Sequence, residues 1–179
     1  MVQQPAESLT ATLFLAVVPP PEIVDAIDLL PTKAQRGVRF TRRTQWHITI
    51  KFLGETNTAD ALDALEGVDS HATEATFGPE VVLLGSRVVM VPVAGLDDLA
   101  HAANVAFSGV GEDQGARDFV GHVTLARLKG APLRDPGLVS VLGAPMTASF
   151  GVESLALIKT EVGPEGTVHT QLAQKVLAG

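Results

Sequence analysis

The chain has 179 residues, a formal net charge of −7, 46% apolar residues and no cysteine. That is enough apolar material for one packed core, and the acidic balance speaks against a surface that coats long nucleic acid. The absence of cysteine excludes disulfides, thiolate metal sites and a thiol nucleophile, and fits a reducing compartment, so a cytoplasmic location is expected.

With seven Phe, one Trp and no Tyr, the core must come from Val, Leu, Ala and Ile. The opening segment MVQQPAESLT has no basic stretch leading into an apolar one and reads as a tail, not a signal peptide. No apolar run is long enough to span a membrane. Residues 11–18 (ATLFLAVV) read as a buried strand stopped by Pro19, Pro20 and Pro21. Residues 22–36 carry Ile23, Ile27, Leu30 and Ala34 at helical spacing, and Pro31 ends or bends that helix near Leu30. Residues 46–53 (WHITIKFL) alternate as a strand, with Gly54 expected to end it. Residues 58–70 form a helix expected to be capped by Thr58. Two β runs, 80–84 and 87–93, flank a Gly85-Ser86 hairpin turn. A helical rhythm follows from Gly95 to about Gly109, then a strand over 120–128 (VGHVTLARL). A short helix is expected over 135–142, and β stretches over 147–160 and 167–176 join through Gly163-Pro164-Glu165-Gly166. The order implies a mixed α/β layout with mainly antiparallel neighbours.

Two of these strands look alike. WHITIKFLG and GHVTLARLKG each hold a His-x-Thr unit, a weak internal duplication. Alternation puts His47 and Thr49 on one face opposite Ile48 and Ile50, and His122 and Thr124 on one face opposite Val123 and Leu125. Placed side by side about a pseudo-twofold axis, the strands would offer one cleft two imidazoles and two hydroxyls. Such a cleft suits phosphodiester hydrolysis without a metal. One imidazole takes a proton from water and the other protonates the departing alkoxide, because histidine titrates near ~6.5. The hydroxyls donate to non-bridging oxygens, and Arg127 or Lys51 supplies positive charge. Strict alternation puts Arg127 on the wrong face, so it reaches the cleft only if its strand ends or bulges near Ala126. Arg36, Arg39, Arg42 and Arg43 read as a solvated loop, some of which could steer RNA. His71, His101 and His169 read as surface or helix-end histidines.

These segments resemble the 2H phosphoesterases, and within them the RNA 2′,3′-cyclic phosphodiesterases, or 2′-5′ RNA ligase-like proteins. The matching pieces are LFLAVVPPPEI (13–23), QWHITIKFLGE (45–55), SRVVMVPV (86–93), RDFVGHVTLARLKG (117–130) and FGVESLALIKTEV (150–162). The resemblance implies an α+β, bilobal, pseudo-twofold duplicated fold. Two antiparallel sheets backed by helices would flank a central cleft, and residues 1–179 would form one domain of two interleaved lobes. It implies hydrolysis of RNA 2′,3′-cyclic phosphate ends to 2′-phosphates, with catalytic His47 and His122 and no metal or cofactor. Substrate binding would fall to Thr49, Thr124, Arg127 and Phe14, the last at a position where the family has an aromatic that could stack on a base. Partners would be RNA 3′ ends or small cyclic nucleotides, met by a monomer away from membranes. His122 is assigned as base and His47 as acid. Two departures stand out: Gly121 replaces a common Pro, which would loosen the entry to the second strand, and His169 stands where Tyr is common. The alternatives are a nucleotide- or RNA-end-binding module of the same fold, 2′-5′ ligation or action on another cyclic nucleotide, and a metallohydrolase. The last is disfavoured by the lack of paired metal-ligand spacing.

Overall fold

The computed structural model describes residues 9–113, 115, 118–130 and 139–179. In chain order the elements are β1 (Thr10–Val17), α1 (Pro21–Asp28), β2 (Val38–Phe40), β3 (Ile48–Asn57), α2 (Thr58–Glu66), β4 (Thr73–Phe77), β5 (Val82–Leu84), β6 (Val88–Ala94), α3 (Asp97–Ala106), β7 (His122–Leu128), β8 (Ala148–Val152), β9 (Ser154–Gly163) and β10 (Gly166–Val176). The tail read at the start lies, through residue 8, outside the described residues, as do 131–138 of the loop-and-helix region before Leu142. The end of that expected helix, 139–142, is bend and turn.

β1 is apolar on both faces because both are covered. Leu13, Leu15 and Val17 enter the main core, while Phe14 and Ala16 form a small second cluster with Ala156 and Ile158. α1 starts on Pro21, whose missing N–H costs nothing in a first turn, and stops at Asp28, short of Pro31. α2 is capped by Asn57, not by the expected Thr58. The Asn57 side-chain oxygen accepts from the Ala59 and Asp60 amides at 2.9 and 3.1 Å. Asn57 sits one residue earlier because β3 runs three residues past Gly54, and that glycine adopts φ +67° inside the strand instead of ending it. The β stretch expected over 147–160 breaks at Glu153 into β8 and β9, which lie far apart in the sheet.

The strands follow one path, β10-β9-β1-β3-β7-β6-β4-β8, with β2 on β7 and β5 on β6. The two antiparallel sheets of the expected bilobal fold are its two halves, β10-β9-β1-β3 and β7-β6-β4-β8. They meet at one residue pair, Ile48↔Val123. The chain interleaves them: the C-terminal hairpin β9–β10 returns to β1, whereas β2, from the first third of the chain, joins β7. α2 packs against β1, β3, β9 and β10, α1 reaches β8, and α3 packs on β3. One apolar cluster, from Leu13 to Leu177, therefore runs beneath both halves.

Each half carries the same irregularity. Opposite β1, Leu15 pairs with Lys51 and Ala16 with Thr49, which leaves Ile50 as an extra residue. Opposite β6, Met90 pairs with Thr124 and Val89 with Ala126, which leaves Leu125 extra. Each bulge follows the Thr of a His-x-Thr unit and inverts the alternation beyond it. The residue five places after each histidine, Phe52 in β3 and Arg127 in β7, is thereby turned to the face the histidines occupy.

Candidate active site

That face is a cleft of about 390 Å³. The antiparallel register about Ile48↔Val123 sets His47 across from Thr124 and Thr49 across from His122. All four line the cleft together with Arg127. The condition attached to Arg127 in the sequence is met by the bulge at Leu125. Along the cleft the order is Phe52, then His122 with Thr49, then His47 with Thr124, then Arg127 beside Arg39 of β2.

The two imidazoles are held alike. His47 Nδ1 donates to the Gln45 carbonyl and His122 Nδ1 donates to the Val120 carbonyl, each at 2.7 Å and each two residues upstream. A carbonyl can only accept, so Nδ1 carries the proton in both rings and Nε2 is the unprotonated nitrogen. His47 Nε2 lies 3.1 Å from Thr49 Oγ1. Gln45 is itself fixed, its side-chain amide donating to the Thr167 carbonyl at 2.7 Å, and the Arg42 guanidinium donates to the Glu165 carbonyl at 2.8 Å. The β9–β10 turn thus braces the segment that delivers His47. Gly121 does not loosen the entry to β7. The Val93 amide donates to its carbonyl at 2.8 Å, and a Cβ there would lie 2.2 Å from the Val93 oxygen, so only glycine fits.

Three expectations change. Phe14 is 4% exposed and packs under the imidazoles, 4.7 Å from the His47 ring and 5.1 Å from the His169 ring. It is a floor for the histidines, closed off from the cleft; the aromatic that opens on the cleft is Phe52 of the neighbouring strand, 41% exposed. His169 is not a surface or helix-end residue. It stands on β10 with its ring 5.2 Å from that of His47, edge to face, and Thr160 Oγ1 lies 3.2 Å from its Nδ1. Lys51 turns away, because the bulge gives its place on the cleft to Phe52, and its Nζ donates to Asn104 Oδ1 of α3 at 2.9 Å. The arginine run also divides: Arg43 pairs with Asp25 and Asp28, and Arg39 lines the cleft.

Burial pushes His47 down from 6.5 to about 4. The Gln45 carbonyl works against that shift, while the nearby His169, His122 and Arg127 add to it. Burial lowers His169 as well. The free protein therefore carries His47 neutral at neutral pH. Among the described residues no Asp or Glu lines the cleft. His71 and His101 share a separate hollow of about 530 Å³ with Asp69 and Asp98 and, among the described residues, no Arg or Lys, a lining ill suited to an anion.

Cations, paired hydroxyls and two imidazoles, with no carboxylate among the described lining residues, define a pocket fit for an anionic ester. A sequence profile of the 2′-5′ RNA ligase superfamily matches residues 19–164, and the chain belongs to that family of 2H phosphoesterases. It is 26% identical over 154 residues to an RNA 2′,3′-cyclic phosphodiesterase of Methanothermobacter thermautotrophicus, an alignment covering 78% of this chain and 82% of the relative. Among solved structures, TT0787 of Thermus thermophilus is 25% identical with a TM-score of 0.74, covering 94% of this chain and 98% of that one. E. coli LigT complexed with 3′-AMP is likewise 25% identical with a TM-score of 0.74, covering 96% of this chain and all of LigT. LigT complexed with NADP+ gives 25% and 0.72 over the same shares.

Proposed function

We propose that the protein hydrolyses RNA 2′,3′-cyclic phosphate ends to 2′-phosphomonoesters by metal-independent catalysis with His47 and His122. The observation that carries this reading is the pairing of the two His-x-Thr strands at Ile48↔Val123, which brings both imidazoles to one cleft with Nδ1 of each on a backbone carbonyl and Nε2 unprotonated, that of His47 beside Thr49 Oγ1. A cyclic phosphate between the rings accepts hydrogen bonds from Thr49 and Thr124 and faces Arg127, whose charge stabilises the oxygens as negative charge builds on them. Water attacks phosphorus and gives its proton to one imidazole. The P–O3′ bond breaks, and the other imidazole protonates O3′.

The order of residues along the cleft supports particular roles. In ribose, C2′ neighbours the carbon that carries the base, and C3′ neighbours the carbon leading to the 5′ linkage. With the base on Phe52, O3′ points toward the Arg127 end, where His47 stands. His47 is then the acid and His122, nearer Phe52, the base. His47 must gain a proton when substrate enters, and the phosphate's negative charge acts in that direction, against the burial that keeps the ring neutral in the free protein. LigT, a structural relative, has been crystallised with 3′-AMP and NADP+, which agrees with a nucleotide phosphate as the ligand class. We take the whole chain to work as one two-lobed monomer in the cytoplasm; among the described residues no helix is long and apolar enough to cross a membrane.

The test is incubation of an RNA ending in 2′,3′-cyclic phosphate with the protein in excess EDTA, followed by end-group analysis. A 2′-phosphate is expected. A 3′-phosphate, or activity that chelation abolishes, contradicts the reading.

A further inference from the structure

The reacting phosphate leaves one cation of the cleft without a role. Arg39 and Arg127 are direct cross-strand partners on β2 and β7, and both side chains line the cleft. Like charges set directly opposite on neighbouring strands repel and destabilise the pair. Among the described residues neither arginine forms an ion pair with a carboxylate. This occurs in a protein with seven more acidic than basic side chains, at a cleft whose described lining residues include no Asp or Glu. Arg39 also lies beside Gly166 of the β9–β10 turn, at the far end of the cleft from Phe52.

Arg127 follows Thr124 by three residues, roughly 10 Å along the strand before the bulge shortens it. A long guanidinium side chain can turn back across that distance to a phosphate held between the imidazoles. Two need not, and it is the charge of Arg127 that acts on His47. We propose that Arg39, paired with Arg127, forms a second phosphate subsite that takes the phosphodiester on the 5′ side of the terminal nucleotide. The inference rests on the cyclic-phosphate reading above. It follows from the same polarity: with the base at Phe52 and O3′ toward His47, the 5′ linkage leaves the ribose toward Arg39. An anion bound at Arg39 accepts a charge-assisted contact from it and offsets the repulsion from Arg127, which stays turned to the reacting phosphate. The protein therefore favours an oligonucleotide end over a lone cyclic nucleotide.

The experiment compares kcat/KM for a nucleoside 2′,3′-cyclic phosphate lacking a 5′ phosphate with that for the dinucleotide ending in the same group. Wild type and Arg39→Gln are each measured. Wild type is expected to prefer the dinucleotide, and Arg39→Gln to lose about tenfold on the dinucleotide, the scale of one exposed charge-assisted contact, while staying within about twofold on the nucleoside. Equal losses on both substrates would assign Arg39 to the reacting phosphate, and no loss on either would leave it without a ligand; both overturn the subsite. A parallel titration with a nucleoside 2′-phosphate and the matching dinucleotide 2′-phosphate reads binding alone. If wild type hydrolyses neither substrate, the catalytic reading fails, and the subsite is still decided by whether Arg39→Gln weakens only the dinucleotide. Equal melting temperatures of the two proteins exclude a folding effect, since the Arg39 side chain is exposed.

Discussion

Acidification should cost this protein stability through one buried ring. His47 titrates at about 4 in the folded chain, chiefly because burial disfavours the imidazolium, and near ~6.5 once unfolded. Between those values the unfolded chain binds a proton that the folded one refuses, so stability is complete above about 6.5 and falls as the pH drops toward 4. The gap of about 2.5 units, at 1.36 kcal/mol per unit, comes to roughly 3 kcal/mol. Many carboxylates titrate in the same range, so the contribution must be read as a difference. Urea unfolding of wild type and of His47→Gln, which cannot titrate, is measured at pH 7.5 and pH 4.5. Wild type should lose about 2–3 kcal/mol more than the variant across that interval. Parallel pH dependences in the two proteins would refute the reasoning. The same burial predicts that inorganic phosphate, bound beside the ring, raises the His47 titration midpoint as followed by NMR. A midpoint that does not move would remove the substrate-linked protonation proposed for its role as acid.

Two further perturbations separate packing from binding. Phe14→Ala should cost roughly 3–5 kcal/mol of stability, the scale for deleting a buried aromatic, because Phe14 sits beneath both His47 and His169. Phe52→Ala should leave the melting transition nearly unchanged and lower kcat/KM about tenfold, the lower range of base stacking on an aromatic; the reverse pattern would assign the two rings wrongly. Gly121→Ala places a methyl 2.2 Å from the Val93 carbonyl oxygen, and should cost about 1–3 kcal/mol in urea unfolding and lower kcat by displacing His122. An unchanged variant would show that this contact is not tight.

The parts of the cleft that could be read from the sequence are those set by strand alternation alone. His47 with Thr49 and His122 with Thr124 share faces over two residues, too short a span for any irregularity to intervene. Phe52 and Arg127 lie five residues from their histidines, beyond a bulge, and alternation counts them onto the wrong face. A bulge is set by which partner residue is skipped across the strand, and the strand's own sequence does not show that. The repetition itself was the available signal: two like segments, with Arg127 in need of a bulge, imply the same bulge in the other copy and hence Phe52. His169 reaches the cleft only because β10 pairs with β9, which in turn pairs with β1 from the other end of the chain, and nothing in its own segment shows that. Phe14 took its stacking role from the family resemblance, and the residues of β9 that bury it, Ala156 and Ile158, are distant in sequence. Short strands escaped as well. β4 (Thr73–Phe77) buries only Ala75 and Phe77, and β2 is three residues long inside a basic run that reads as a loop.

The central claim is that two imidazoles act on one phosphorus, and kcat on a 2′,3′-cyclic phosphate RNA end for His47→Ala, His122→Ala and the double variant tests it most directly. Groups that act as one unit are strongly non-additive. Each single change is expected to lower kcat by about 10²–10⁴, with the double variant little worse than either. Near wild-type turnover in either single variant, or losses that multiply in the double, would contradict the account.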